Sequence, residues 1–100
     1  MNPADPVQRQ LDACNARDLD RFVAEYADGV PVFVAPSPEP VLSGKATFAA
    51  HDASKRFNLP YLHAALVARR VSGHTVVDHE RVTALADDVV EAIAVYRVVG

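Results

Sequence analysis

The sequence predicts an α+β domain in which helices pack on one face of a curved antiparallel sheet. Three observations carry that prediction. In the first part of the chain, apolar residues recur at three-and-four spacing, as Val7, Leu11 and Cys14 and then Leu19, Phe22, Val23 and Tyr26, which is the period of an amphipathic helix. From Leu62 onward the residues read as strands. Those strands follow one another through short turns, as a meander does.

Pro3 and Pro6 precede the first helical pattern, and Asp5 before Pro6 suits a capping residue with proline at the first helical position. Asn15-Ala16-Arg17-Asp18 interrupts the apolar spacing, so a turn is expected there, with Asp18 capping a second helix over Leu19–Ala27. Asp28-Gly29 ends that helix through the left-handed conformation glycine allows. Val30–Ala35 reads as a short β segment whose Pro31 suggests an edge or a strand start. Pro36, Pro38 and Pro40 stiffen a loop. Gly44 opens a third helix from Lys45 to about Phe57, and Asn58-Leu59-Pro60 stops it. Strands then cover Leu62–Ser72, His74–Leu85 and Val89–Val99, with a tight hairpin at Ser72-Gly73-His74-Thr75 and a turn at Ala86-Asp87-Asp88. Phe22, Phe33, Phe48 and Phe57 stand at core-like positions.

Composition narrows the possible functions. One hundred residues, half of them hydrophobic and 23% charged, suit one packed domain spanning 1–100. A net charge of −3 with no basic run argues against nucleic acid as a partner. Cys14, the single cysteine, cannot form an intramolecular disulfide and reads as a core thiol. His51, His63, His74 and His79 lack the close spacing of metal ligands, so neither a metal nor another cofactor is expected. No apolar run approaches the ~20 residues of a membrane span. The start lacks a basic segment followed by an apolar one, which leads us to expect a cytoplasmic protein. No phosphate-binding glycine loop or nucleophile elbow is present.

The stretches "LDACNARDLDRFVAEYADGVPVFV", "LSGKATFAAHDASKRF" and "VVDHERV…VEAIAVYRV" together resemble the nuclear transport factor 2-like superfamily, in its SnoaL-like and ketosteroid isomerase-like branch, over residues 7–99. The resemblance implies a cone-shaped fold enclosing an apolar cavity, with the outer sheet face available for a homodimer. It also implies a further strand beyond Val89–Val99, which this sequence does not contain. Without a replacement, Val89–Val99 would present an unpaired apolar edge.

In family isomerases a carboxylate moves a proton beside a carbonyl, while a tyrosine and a protonated aspartate stabilise the enolate oxygen. Matched residue by residue, the tyrosine falls on Gln10, the base carboxylate on Val34 and the second oxyanion acid on Ala94, so the usual machinery is absent.

The run Asp78-His79-Glu80-Arg81 raises the sharpest question. Strand alternation puts Asp78 and Glu80 on one face, and His79 and Arg81 with Val77 on the other. The matching family strand turns the odd-numbered set towards the cavity, with His79 nearly opposite Ala94. On that reading His79 is a candidate acid/base and Tyr96 a candidate oxyanion donor. Val34, Val77, Ala92, Ala94 and His63 would then line the ligand site. The alternative is a structural His79, with Asp78 and Glu80 on an outward acidic face paired to Arg69, Arg70 or Arg97. His51 and Asp52 read as a solvated helix face, with His74 in an exposed turn. Three functions stay open: a cavity binding a small apolar or carbonyl-bearing molecule, an isomerase, cyclase or lyase using His79, and an association module whose cavity is filled.

Overall fold

The computed structural model describes residues 2–99. Its elements are α1 (Ala4–Asn15), α2 (Leu19–Ala24), β1 (Pro31–Val32), β2 (Leu42–Ser43), α3 (Lys45–Lys55), β3 (His63–Ser72), β4 (Thr75–Thr83) and β5 (Val90–Arg97). The long strands β3, β4 and β5 form an antiparallel sheet in chain order, and β1 pairs with β2 in a separate short ladder. The α+β class predicted from the sequence is the observed one.

Helix α1 begins at Ala4, earlier than expected, with Pro3 at its cap position and Asp5 in its first turn. Pro6 is tolerated because backbone N–H groups in the first turn have no partner within the helix. The Asn15–Asp18 break carries more structure than a turn. Arg17 adopts a positive φ of 61°, and the Asp18 side chain accepts from the Arg21 N–H at 3.1 Å, capping α2. Asn15 donates from Nδ2 to the Ala64 carbonyl and accepts the Ala64 N–H at Oδ1, both at 2.9 Å. One side chain thereby satisfies the free edge of β3 and ties the end of α1 to the sheet.

Helix α2 stops at Ala24, short of the expected Ala27. The Val30–Ala35 segment yields only the two residues of β1, and β2 was not foreseen. Two-residue strands are too short to show alternation, and the three prolines between them hide the pairing. Phe33 and Val34 are 52% and 60% exposed, so Phe33 is not in the core and Val34 lines no cavity. Gly44 opens α3 with φ 91°, a conformation L-residues avoid. Asp52 corrects the expectation of a solvated helix face. It is buried, with its Oδ1 3.2 Å from His51 Nδ1.

Two apolar clusters result. One lies among the helices and the short ladder, around Ala13, Phe22 and Phe48. Its rings meet at centroid separations of 5.6 Å for Phe22–Phe48 and 4.5 Å for Tyr26–Phe48. The other lies between α1 and the sheet, around Leu11, Leu62, Ala64 and Val82. Cys14 packs against both.

In the sheet, Gly73 takes φ +57° in the hairpin between β3 and β4. The β4–β5 register sets Asp78 opposite Ala94 and His79 opposite Ile93, so His79 is not across from Ala94. The β3–β4 ladder carries a bulge between Leu66 and Ala68. Among the described residues β5 pairs only with β4 and forms one edge of the sheet.

The face assignment expected for β4 is reversed. Val76, Asp78, Glu80 and Val82 are the buried set and face the helices. Val77, His79 and Arg81 lie on the outer face. Alternation shows which residues share a face but not which face is covered, and a one-residue change of phase exchanges them. Asp78 does pair with Arg69, one of the expected partners, but inside the domain. Arg69 Nε donates to Oδ1 at 2.7 Å and Nη2 to Oδ2 at 3.0 Å, while Nη1 donates to Gln8 Oε1 on α1 at 2.8 Å. Asp78 has no exposed surface. Removing Asp78 leaves the half-buried Arg69 guanidinium without its carboxylate partner. Asp78→Ala should therefore cost roughly 1.5–3 kcal/mol in urea unfolding, more than a surface ion pair would.

Candidate functional site

A cavity of about 250 Å³ opens between α1, the segment following α3 and the inner face of the sheet. Leu62, Ala64, Val82, Leu85, Val90 and Ala92 form its apolar walls, and Cys14, Arg56 and Glu80 are its polar lining. The space exists because Ala64 and Ala92 are small where long side chains would fill it.

Glu80 is the chemically notable group. It is 9% exposed, and its Oε2 is buried with no hydrogen-bond partner. Burial pushes its carboxyl pKa up, and the Asp78 charge two residues away on the same face adds to this. Arg69 acts in the opposite sense but is engaged by Asp78. The result is a carboxyl on the cavity wall whose proton is held more tightly than in an ordinary glutamate and whose Oε2 is buried without a partner. Such a group can donate a hydrogen bond to a carbonyl oxygen or carry a proton to and from carbon.

Beside it lies a hydrogen-bonded chain. Tyr26 Oη donates to Gln10 Oε1 at 2.9 Å. Gln10 Nε2 donates to the Val7 carbonyl at 2.9 Å and more weakly to Tyr96 Oη at 3.4 Å. Burial drives both phenols far above the usual tyrosine pKa, so both remain hydroxyl donors. Gln10, at the position where the resemblance expects a tyrosine, thus joins two of them. Burial raises the Cys14 thiol pKa, which disfavours its thiolate.

Ala92 lines the cavity, and Ala94 and Tyr96 share its face of β5, half-buried. Four other candidates lie elsewhere. His79 points outward, with Nε2 3.3 Å from Glu91 Oε2, on a carboxylate that Arg81 also holds at 3.1 Å. Val77 is on the same outer face. His63 is exposed at the start of β3, and Val34 is exposed beyond β1. The expectation of an outward acidic face is also corrected: both carboxyl groups, Asp78 and Glu80, face inward. Sequence reasoning missed Glu80, although its shared face with Val76 and Val82 was a usable signal. Among the described residues no three His, Cys, Asp or Glu side chains gather as a metal site, and no helix is long and apolar enough to cross a membrane.

A family model described as a SnoaL-like domain matches residues 7–100. No curated protein matches. Among solved structures, an uncharacterized cystatin fold protein from Novosphingobium aromaticivorans superposes with a TM-score of 0.88 at 23% identity, covering 100% of this chain and 91% of the other. A putative ketosteroid isomerase from Kribbella flavida gives 0.76 at 20% identity, covering 97% and 68%. A SnoaL-like protein of unknown function from Burkholderia thailandensis gives 0.71 at 28% identity, covering 90% and 77%. The first two likenesses establish the fold alone.

The Glu80 environment has a sign that can be measured. Its folded pKa lies above the ordinary 4.5, so in the window just above that value the folded chain holds a proton the unfolded chain has lost. Stability conferred by the neutral carboxyl is complete below 4.5 and falls as pH rises through the folded pKa. Urea midpoints between about pH 5 and pH 8 should decline more steeply for the native sequence than for Glu80→Gln. Parallel declines would show that Glu80 titrates as it does in the unfolded chain.

Proposed function

The chain belongs to the SnoaL-like domain family, and from that premise we propose that it binds a small apolar or carbonyl-bearing molecule in the cavity, with Glu80 as proton donor or acceptor. The observation that carries this reading is the Glu80 carboxyl on the wall of an otherwise apolar recess, its Oε2 buried without a hydrogen-bond partner. A buried polar atom left unsatisfied costs about 1–3 kcal/mol, a cost that packing alone does not explain. Size limits the ligand. A dry 150 Å³ engineered cavity holds benzene, so about 250 Å³ suits a single ring with a short substituent and is too small for a fused four-ring steroid. The resemblance to isomerases therefore supports proton chemistry beside a carbonyl more than it supports a steroid substrate. We place this activity in the cytoplasm, which the free Cys14 thiol fits.

The test uses 4-phenylbutan-2-one, a one-ring ketone with exchangeable hydrogens beside its carbonyl. Binding is followed by calorimetry, and exchange of those hydrogens in D₂O by NMR. We expect saturable binding, and exchange accelerated at least about a hundredfold over buffer but lost in Glu80→Gln, the low end of the range for a positioned acid or base. Binding without accelerated exchange would make the chain a binder and remove the catalytic role. Absence of binding would return the cavity to a packing defect in an association module.

We further propose a homodimer through the outer sheet face. Ile93 and Val95 are each 66% exposed there, and Val77 lies opposite Val95 on the neighbouring strand. Contiguous apolar surface of this kind marks an interaction site. Ile93→Lys should shift the species seen by light scattering from dimer to monomer, and a native monomer at high concentration would end the proposal.

A further inference from the structure

Arg56 is the second charged group on the cavity wall. It follows α3 as its C-terminal cap residue, at φ −127°, and is half-buried. Among the described residues its guanidinium makes no ion pair. Its one side-chain hydrogen bond is from Nη1 to the adjacent Lys55 carbonyl at 3.3 Å. A guanidinium carries five N–H donors in a planar fork, so most of its donors are unused. Glu80 and Arg56 face one space without meeting, and Glu80 Oε2 has no partner at all. A guanidinium without an ion pair and a carboxyl group that share a recess yet remain apart leave room for a molecule between them.

We infer that the cavity takes a one-ring carboxylic acid, its carboxylate held by the Arg56 fork and its apolar body lying against Leu62, Val82 and Val90. Planar, two-point recognition of a carboxylate is what guanidinium does best. A neutral ligand would leave that charge unmatched. The Glu80 carboxyl, whose pKa burial raises, then meets either the ring substituent or a second carbonyl. This inference rests on the cavity reading above and adds the chemical class of its occupant.

Two probes of nearly equal size separate the ideas: 3-phenylpropanoate and the ketone 4-phenylbutan-2-one. Calorimetry in mildly acidic buffer should show the carboxylate binding about tenfold more tightly to the native protein, as expected for a charge-assisted pair. Arg56→Gln should abolish that preference, with a native circular-dichroism spectrum and urea transition showing that the variant is folded. Arg56→Lys should restore only part of it, since a point charge lacks the fork. Equal affinities in the native protein would overturn the carboxylate class while leaving the cavity reading intact. A preference that survives Arg56→Gln would overturn the role of Arg56. Failure of both probes would instead count against the cavity reading itself, and the inference would fall with it. If Arg56→Gln proves unfolded, the native comparison still decides.

Discussion

The inner face of the sheet depends on one charge pair, Arg69 with Asp78. Both carboxylate oxygens are taken by one guanidinium, and the remaining nitrogen reaches across to Gln8 on α1. The pair fixes the approach of β3 to β4 and of α1 to the sheet at a single buried point. It also determines the state of its neighbour. Strand alternation forces the carboxyl two residues further along into the same interior, where the Arg69 cation is already engaged by Asp78. The stable pair and the uneasy Glu80 are thus one arrangement seen from two positions.

The void has an equally local origin. Around Phe22 the aromatic rings of Tyr26, Phe48 and Phe57 close the space among the helices at ring-centroid distances near 5 Å. Between α1 and the sheet the facing residues include alanines on both β3 and β5, and the helix cannot move closer because Asn15 sets its end against Ala64. A hollow survives where tight packing would otherwise collapse it. Cys14 stands between the filled side and the hollow one and contributes volume rather than reactivity.

Much of this was legible in the sequence. The apolar spacing of Val7, Leu11, Leu19 and Phe22 gave the two helices, Asp18 gave the cap between them, and Gly73 gave the hairpin. The shared face of Ala92, Ala94 and Tyr96 followed from alternation alone. Orientation of β4 did not, because valines flank the charged run on both faces and the pattern looks the same from either side. An acidic residue is normally assigned to solvent, and only the bidentate contact from Arg69 on the neighbouring strand shows why Asp78 is not. The β1–β2 ladder was hidden for a different reason: four residues cannot display a period.

The bulge in β3 reconciles two demands that plain alternation would set against each other. Ala64 must face the hollow and Arg69 must face Asp78, yet they are five positions apart, an odd interval that would put them on opposite sides of an unbroken strand. The extra residue near Val67 resets the phase between them. Small-molecule space at one end and charge neutralisation at the other are therefore locked in step by a single inserted amino acid. Loss of that residue would turn Arg69 to the exterior and strand Asp78 in the apolar interior, so chain length across this segment is under tighter constraint than residue identity.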